Sequence, residues 1–180
     1  MNIFVLDYNP ELCAEYHCDK HVVKMILESV QMICTNHTIF GLKTKDYENI
    51  PYKATHQMHP CTQWARASKQ NYLWLCEFVE ALHNEWQYRF GELKYNLEGE
   101  REHKSFIVFK TLNHEAMADS LPDIGLQPFA QAMPEELRSD DVVDSYRKYY
   151  ATEKFDLLHY SKRSMPKWIK EYLPNASRYG

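Results

Sequence analysis

Glycine is scarce in this chain, with five in 180 residues. No regular alternation of apolar and polar residues between turn signals accompanies them, so a strand-and-turn architecture is excluded and a helical one expected. Any apolar run long enough to span a bilayer is also missing, and no membrane partner is expected. Residues 1–7 carry no base ahead of their apolar stretch, which argues against a secretory signal. The five cysteines, at 13, 18, 34, 61 and 76, are odd in number and form no CxxC pair. Reduced thiols in a cytoplasmic compartment fit them better than a disulfide framework. A basic excess is lacking too. The net charge of -4 excludes a protein that coats nucleic acid through bulk charge, while leaving room for a local basic face. Between 113 and 144 the only Lys or Arg is Arg138, whereas Lys162, Arg163, Lys167, Lys170 and Arg178 mark the C-terminal end.

What is present is apolar surface in quantity: 44% of the residues are hydrophobic and 14% aromatic, enough for a sizeable core in a chain of this length. The expectation is an all-α, compact single helical domain over 1–180, with a short extended N-terminal segment and long loops. Asn9-Pro10 is a cap followed by a first-turn proline, so a helix begins there. It pauses near Cys18-Asp19 and resumes to about Thr35. Residues 36–59, with Gly41 and Pro51, read as a long loop. From Pro60 a helical stretch runs to Phe90, re-capped at Ser68 and stopped at Gly91, with Tyr72, Leu75, Cys76, Val79, Leu82 and Trp86 on its core stripe. A further helix is expected between about Glu98 and Leu112, with Phe106, Ile107 and Phe109 inward. An irregular acidic segment follows. Ser139-Asp140-Asp141 then caps a helix carrying Val142, Tyr146, Tyr149 and Tyr150, and a short helix begins near Pro166.

Three constellations can carry chemistry. In the first, His21, Lys24, Glu28 and Gln31 recur at steps of three and four, so they share one side of a helix whose other positions, Val22, Val23, Ile26, Val30 and Ile33, are apolar. An unpaired charge inside a protein is costly, so such a stripe faces a cleft or forms a satisfied network. As a site it supplies an acid, an imidazole and an amine for proton transfer and phosphate anchoring, with Lys20 as a second cation. As structure, Lys24 and Glu28 are an ordinary i,i+4 pair. His17, Asp19 and His21, with His56, His59, His103 or His114, invite a metal reading, but no HExxH pattern is present and neither a metal nor another cofactor is expected.

The second constellation runs from His56 through His59-Pro60 to Trp64 and Arg66. Here a loop meets a helix start whose free N–H groups favour anions, and an exposed Trp64 would stack a base. Alternatively Trp64 packs into the core and His59 caps the helix. The third joins Gln131, on a proline-framed loop, to Arg147 and its Tyr/Lys-rich helix, where amides read base edges and cations hold a strand backbone. Aromatic packing with snorkelling cations explains the same residues.

This layout resembles the phage-type pyrimidine-dimer DNA glycosylase family. The likeness rests on the short N-terminal segment, the first helix with its basic face, and His59-Pro60 followed by Asn71-Tyr72-Leu73, Glu85 and Arg89-Phe90; it covers roughly the first half of the chain. The chain is also similar to phage proteins that begin with an FVLD segment and a DKHVVKM helix. The resemblance implies a compact helical protein that acts on DNA, duplex or single-stranded, in the cytoplasm of a host cell. It implies attack on the sugar C1′ by an N-terminal amine, with a nearby carboxylate serving a lyase step. Carried over, Met1 supplies the amine, His21 or Glu28 the general acid or base, and Lys20, Lys24, Arg66 and Arg89 the phosphate contacts. Free α-amines as a class retain a usable unprotonated fraction near neutral pH. Where the family's helix has Arg-Glu and then Arg, the register read here has Lys20-His21 and then Lys24, with Glu28 two turns further on. Attack within a duplex requires base extrusion. Two rivals stand beside this reading: base or nucleotide modification by group transfer on the same scaffold, and a noncatalytic viral interaction protein.

Overall fold

A computed structural model describes residues 1–91 and 101–173. Asn9 accepts a hydrogen bond from the Leu12 N–H, and Pro10 opens α1 (Pro10–Tyr16). The helix breaks at His17 and restarts as α2 (Asp19–Ile39), for which Cys18 is the cap. After a loop, His59 caps α3 (Pro60–Ala65) and Ser68 caps α4 (Lys69–Phe90). Next come α5 (Lys104–Thr111), α6 (His114–Asp119) and, capped by Asp141, α7 (Val142–Glu153). Short 3-10 segments occupy Glu135–Leu137, Phe155–Leu157 and Lys167–Tyr172. No strand occurs among the described residues; one isolated bridge joins Thr44 to Leu112. The fold is all-α.

The long α4 is the central pillar, packed by α1 and α2. Its stripe of Tyr72, Leu75, Cys76, Val79, Leu82 and Trp86 is buried as the helical period predicts, and so are Trp74 and Phe78. The N-terminal residues Ile3 to Leu6 are also buried, and they join no sheet. Side chains and main chain of other elements hold them instead: the Leu6 N–H donates to Cys13 Sγ, and Arg147 Nε donates to the Leu6 carbonyl. Among the described residues no helix is long and apolar enough to cross a membrane, and no group of three or more His, Cys, Asp or Glu is arranged to hold a metal. All five cysteines are free and buried.

Several boundaries differ from the sequence reading. α2 runs a turn past Thr35 because Asn36 and His37, polar residues that read as loop, are buried with partners: Asn36 Nδ2 donates to the Thr62 carbonyl, and His37 Nδ1 lies 3.0 Å from the Ile33 carbonyl. Gly41, at φ 66°, supplies the left-handed turn after it. Val23 and Ile107, expected inward, are exposed. α6 forms within the segment expected to be irregular, capped by Asn113. The expected helix start at Glu98, and Arg178, lie outside the described residues.

Candidate active site at the amino terminus

The chain's first residues cross the middle of α2, and Asn2 fixes that crossing. Its main-chain N–H donates to Glu28 Oε2 at 2.8 Å, and its Nδ2 donates to the Ala132 carbonyl at 2.8 Å. Its Oδ1 accepts from the Ile3 N–H and lies 2.9 Å from the Tyr146 hydroxyl. The next turn of chain is strained: Phe4 adopts φ 53°, a left-handed conformation that bulky residues avoid. Its ring stacks on His21, with centroids 4.7 Å apart, and faces Tyr149 at 5.9 Å.

This arrangement brings the Met1 amine to 3.9 Å from Glu28 Oε2, while Lys24 Nζ lies 3.2 Å from Oε1. Met1 is anchored by its side chain, only 4% exposed, against Thr62 at the start of α3. The residue as a whole is half-buried, so the part that meets solvent is its amino end. Met1, Asn2, Phe4, His21, Lys24 and Glu28 line one wall of a cleft of roughly 320 Å³; Ala132, Tyr149, Lys154 and Leu157 line the other. One carboxylate thus sits among an α-amine and two lysines, a locally positive site on an acidic protein. Such focusing draws in anions, the phosphates of a nucleic acid among them. An amine held beside a carboxylate in an open cleft is the equipment for covalent imine chemistry with proton transfer.

His21 and Glu28 share that cleft, but in different states. The Met1 amine lies against Glu28, whereas His21 Nδ1 lies 2.8 Å from the Tyr150 hydroxyl. Burial, then the neighbouring His17, Lys24 and Lys154, push the His21 pKa down to about 3. Its imidazole is neutral at physiological pH. His59 is half-buried at the α3 cap and accepts from the Cys61 N–H. Burial first, then the chain's amino terminus and His56, lower its pKa.

The other expected contacts divide sharply. Lys20 and His56 are exposed. Arg66 is half-buried, with Nη1 donating to Asn36 Oδ1 and the Thr62 carbonyl, and burial lowers its pKa. Arg89 is not a surface cation. It is 4% exposed and donates to Glu85, Asp19 and the carbonyls of His17 and Glu15, joining α1, α2 and α4. A DNA phosphate cannot reach it. Trp64 is 5% exposed and stacked on Phe129 at 4.6 Å, with Nε1 donating to the Gln127 carbonyl, so it offers no face to a base. Arg147 is spent on the Leu6 carbonyl and Asp7, above the rings of Tyr16 and Trp168. Gln131 closes its own loop through Ser139. Asn2, Phe4 and Leu157 were not expected to line a site, and nothing in the sequence marked them. Ala132, Tyr149 and Lys154 belong to the third constellation, the proline-framed loop and the Tyr/Lys-rich helix, but the structure brings them to the Met1 cleft rather than to Gln131 and Arg147.

The fold and the cleft are those of a compact helical protein that presents an amine and a carboxylate together at a locally basic surface. The chain belongs to the pyrimidine dimer DNA glycosylase family, whose sequence profile matches residues 1–98. DNA is accordingly its class of substrate. No curated protein and no solved structure matches it. The matched part contains Met1, His21, Lys24 and Glu28, and it ends before the wall formed by Ala132, Tyr149, Lys154 and Leu157.

Proposed function

We propose that this chain is a DNA glycosylase that excises damaged or modified pyrimidines through an imine on the Met1 amine, followed by AP-lyase cleavage. The separation of 3.9 Å between that amine and Glu28 Oε2, in an open cleft, carries the reading. In the attack the amine nitrogen bonds to C1′ as the C1′–base bond breaks, the electron pair leaves with the pyrimidine, and Glu28 takes the proton that the amine sheds. Glu28 returns that proton to O4′ as the C1′–O4′ bond breaks and the imine forms; in the lyase step the freed carboxylate removes a proton from C2′, and the 3′ phosphate leaves by β-elimination. Lys24 steers Glu28 through their ion pair, while Lys20 and Lys154 draw the strand backbone to the cleft. The cleft is at the small end for a ligand pocket, which suits one extruded nucleoside.

The test is borohydride trapping on duplex and single-stranded DNA bearing an abasic site, a pyrimidine dimer or a modified pyrimidine. A covalent adduct is expected, lost when the amino terminus is blocked and reduced on the order of 100-fold in Glu28→Gln. An adduct that survives blocking moves the nucleophile to a lysine. The absence of an adduct on every substrate refutes imine chemistry and returns the question to group transfer or partner binding.

A further inference from the structure

We propose that Tyr150 is a positioning residue that locks His21 in one tautomer, with Nδ1 as acceptor and Nε2–H presented to the cleft as a hydrogen-bond donor to the departing pyrimidine. The lock follows from counting donors around one phenol oxygen. Tyr150 is fully buried, and its hydroxyl oxygen accepts the Cys18 main-chain N–H at 2.9 Å. The hydroxyl proton needs an acceptor, and His21 Nδ1 stands 2.8 Å away. Were Nδ1 protonated, it would donate to the phenol, and the phenol's own proton would be left with the Cys18 thiol, a much weaker acceptor than an imidazole nitrogen. A buried hydroxyl without a good acceptor is costly. The phenol therefore donates to Nδ1, and in the neutral ring the single N–H proton resides on Nε2.

Three further observations direct that N–H. Phe4 stacks at 16° to the imidazole and fixes its plane. His21 lines the cleft beside Lys24 and Glu28. Nε2 has no protein partner among the described residues, yet it is not one of the buried, unpartnered polar atoms, so it reaches the cleft. Burial and the cations Lys24 and Lys154 disfavour the imidazolium. A neutral donor of this kind serves a leaving group that gains negative charge without first being protonated. As the C1′–N1 bond breaks, the electron pair spreads onto the pyrimidine and its O2, and an N–H aimed there stabilises the charge. The donor role rests on the glycosylase reading; the tautomer lock does not. Tyr150 lies outside the part of the chain that matches the family.

The closing experiment combines two readouts on the full chain. In ¹⁵N-histidine spectra at neutral pH, His21 is expected to show an unprotonated Nδ1 and a protonated Nε2, and Tyr150→Phe is expected to lose this single-tautomer pattern. A protonated Nδ1, a charged ring, or an unchanged pattern in Tyr150→Phe overturns the lock. In single-turnover excision, His21→Phe keeps a ring against Phe4 but removes the donor, and should slow the reaction about 100-fold at unchanged DNA affinity. His21→Gln, which restores an N–H, should recover much of the rate. Equal rates for His21→Phe and the wild type overturn the donor role. A locked tautomer in a wild type that is inert on every substrate instead removes the glycosylase reading and leaves the lock standing.

Discussion

Acidification from pH 6.5 to 5 should destabilise this protein well before its carboxylates titrate. Burial lowers the pKa of His17 and His114 to about 4 and that of His21 to about 3. All three are uncharged in the folded state at pH 5, while in the unfolded chain they protonate near the ordinary histidine value of 6.5. The unfolded state binds more protons, so stability is full above pH 6.5 and falls as the pH drops toward the folded-state values. Over that step each histidine contributes a loss of about 1.5 kcal/mol, or roughly 5 kcal/mol for the three, a large share of a typical domain's stability. Asp19 and Glu85 have lowered pKa values, so their stabilisation is lost only as the pH falls below the ordinary carboxylate range, which separates the two windows. Urea unfolding at half-unit pH steps measures this directly. A free-energy change under 1 kcal/mol between pH 6.5 and 5 would refute the assignment of neutral buried histidines, and His114→Gln should flatten the slope.

Two further predictions separate surface cations from buried ones. Replacing Lys20 and Lys154 by Ala should lower the slope of log affinity for DNA against log salt by about 0.9 per lysine for duplex, measured by fluorescence anisotropy; an unchanged slope removes both from the interface. Arg89→Met should leave that slope alone but cost about 3 kcal/mol of stability, because Glu85 loses a buried partner. A changed salt slope at full stability would contradict the structural role given to Arg89.

Much of the helical frame was legible because it is written locally. Asn9, Ser68 and Asp141 act through hydrogen bonds to residues three positions ahead, and the α4 stripe needs nothing but the helical period. The site was half legible. The steps from His21 to Lys24 to Glu28 placed three side chains on one face, but nothing local tells that Asn2 ties the chain's start to Glu28 rather than to His21. Arg89 and Trp64 misled for the same reason. A basic or aromatic residue near a DNA-binding motif reads as surface, until Asp19, 70 positions earlier, and Phe129, far downstream, are seen to enclose them. Composition reports charge, whereas burial decides whether that charge can meet a ligand.

The cleft's two walls therefore carry different kinds of information. The wall from the first 28 residues holds the amine, the carboxylate and the imidazole, the groups to which the proposed mechanism gives the bond chemistry. The wall from 132–157 brings Tyr149 and Lys154, an aromatic face and a cation 5.0 Å above it. With Phe4 stacked against the same ring, this pair offers a cation to a phosphate but has no means to activate C1′. Bond chemistry depends on groups held to within fractions of an ångström, and here Asn2 fixes the amine through both of its ends. Substrate choice tolerates looser contacts. On the proposed mechanism, a change of favoured base is expected through Tyr149, Lys154 or Leu157 with the amine and Glu28 left in place, whereas a change in the Asn2 contacts is expected to displace the Met1 amine.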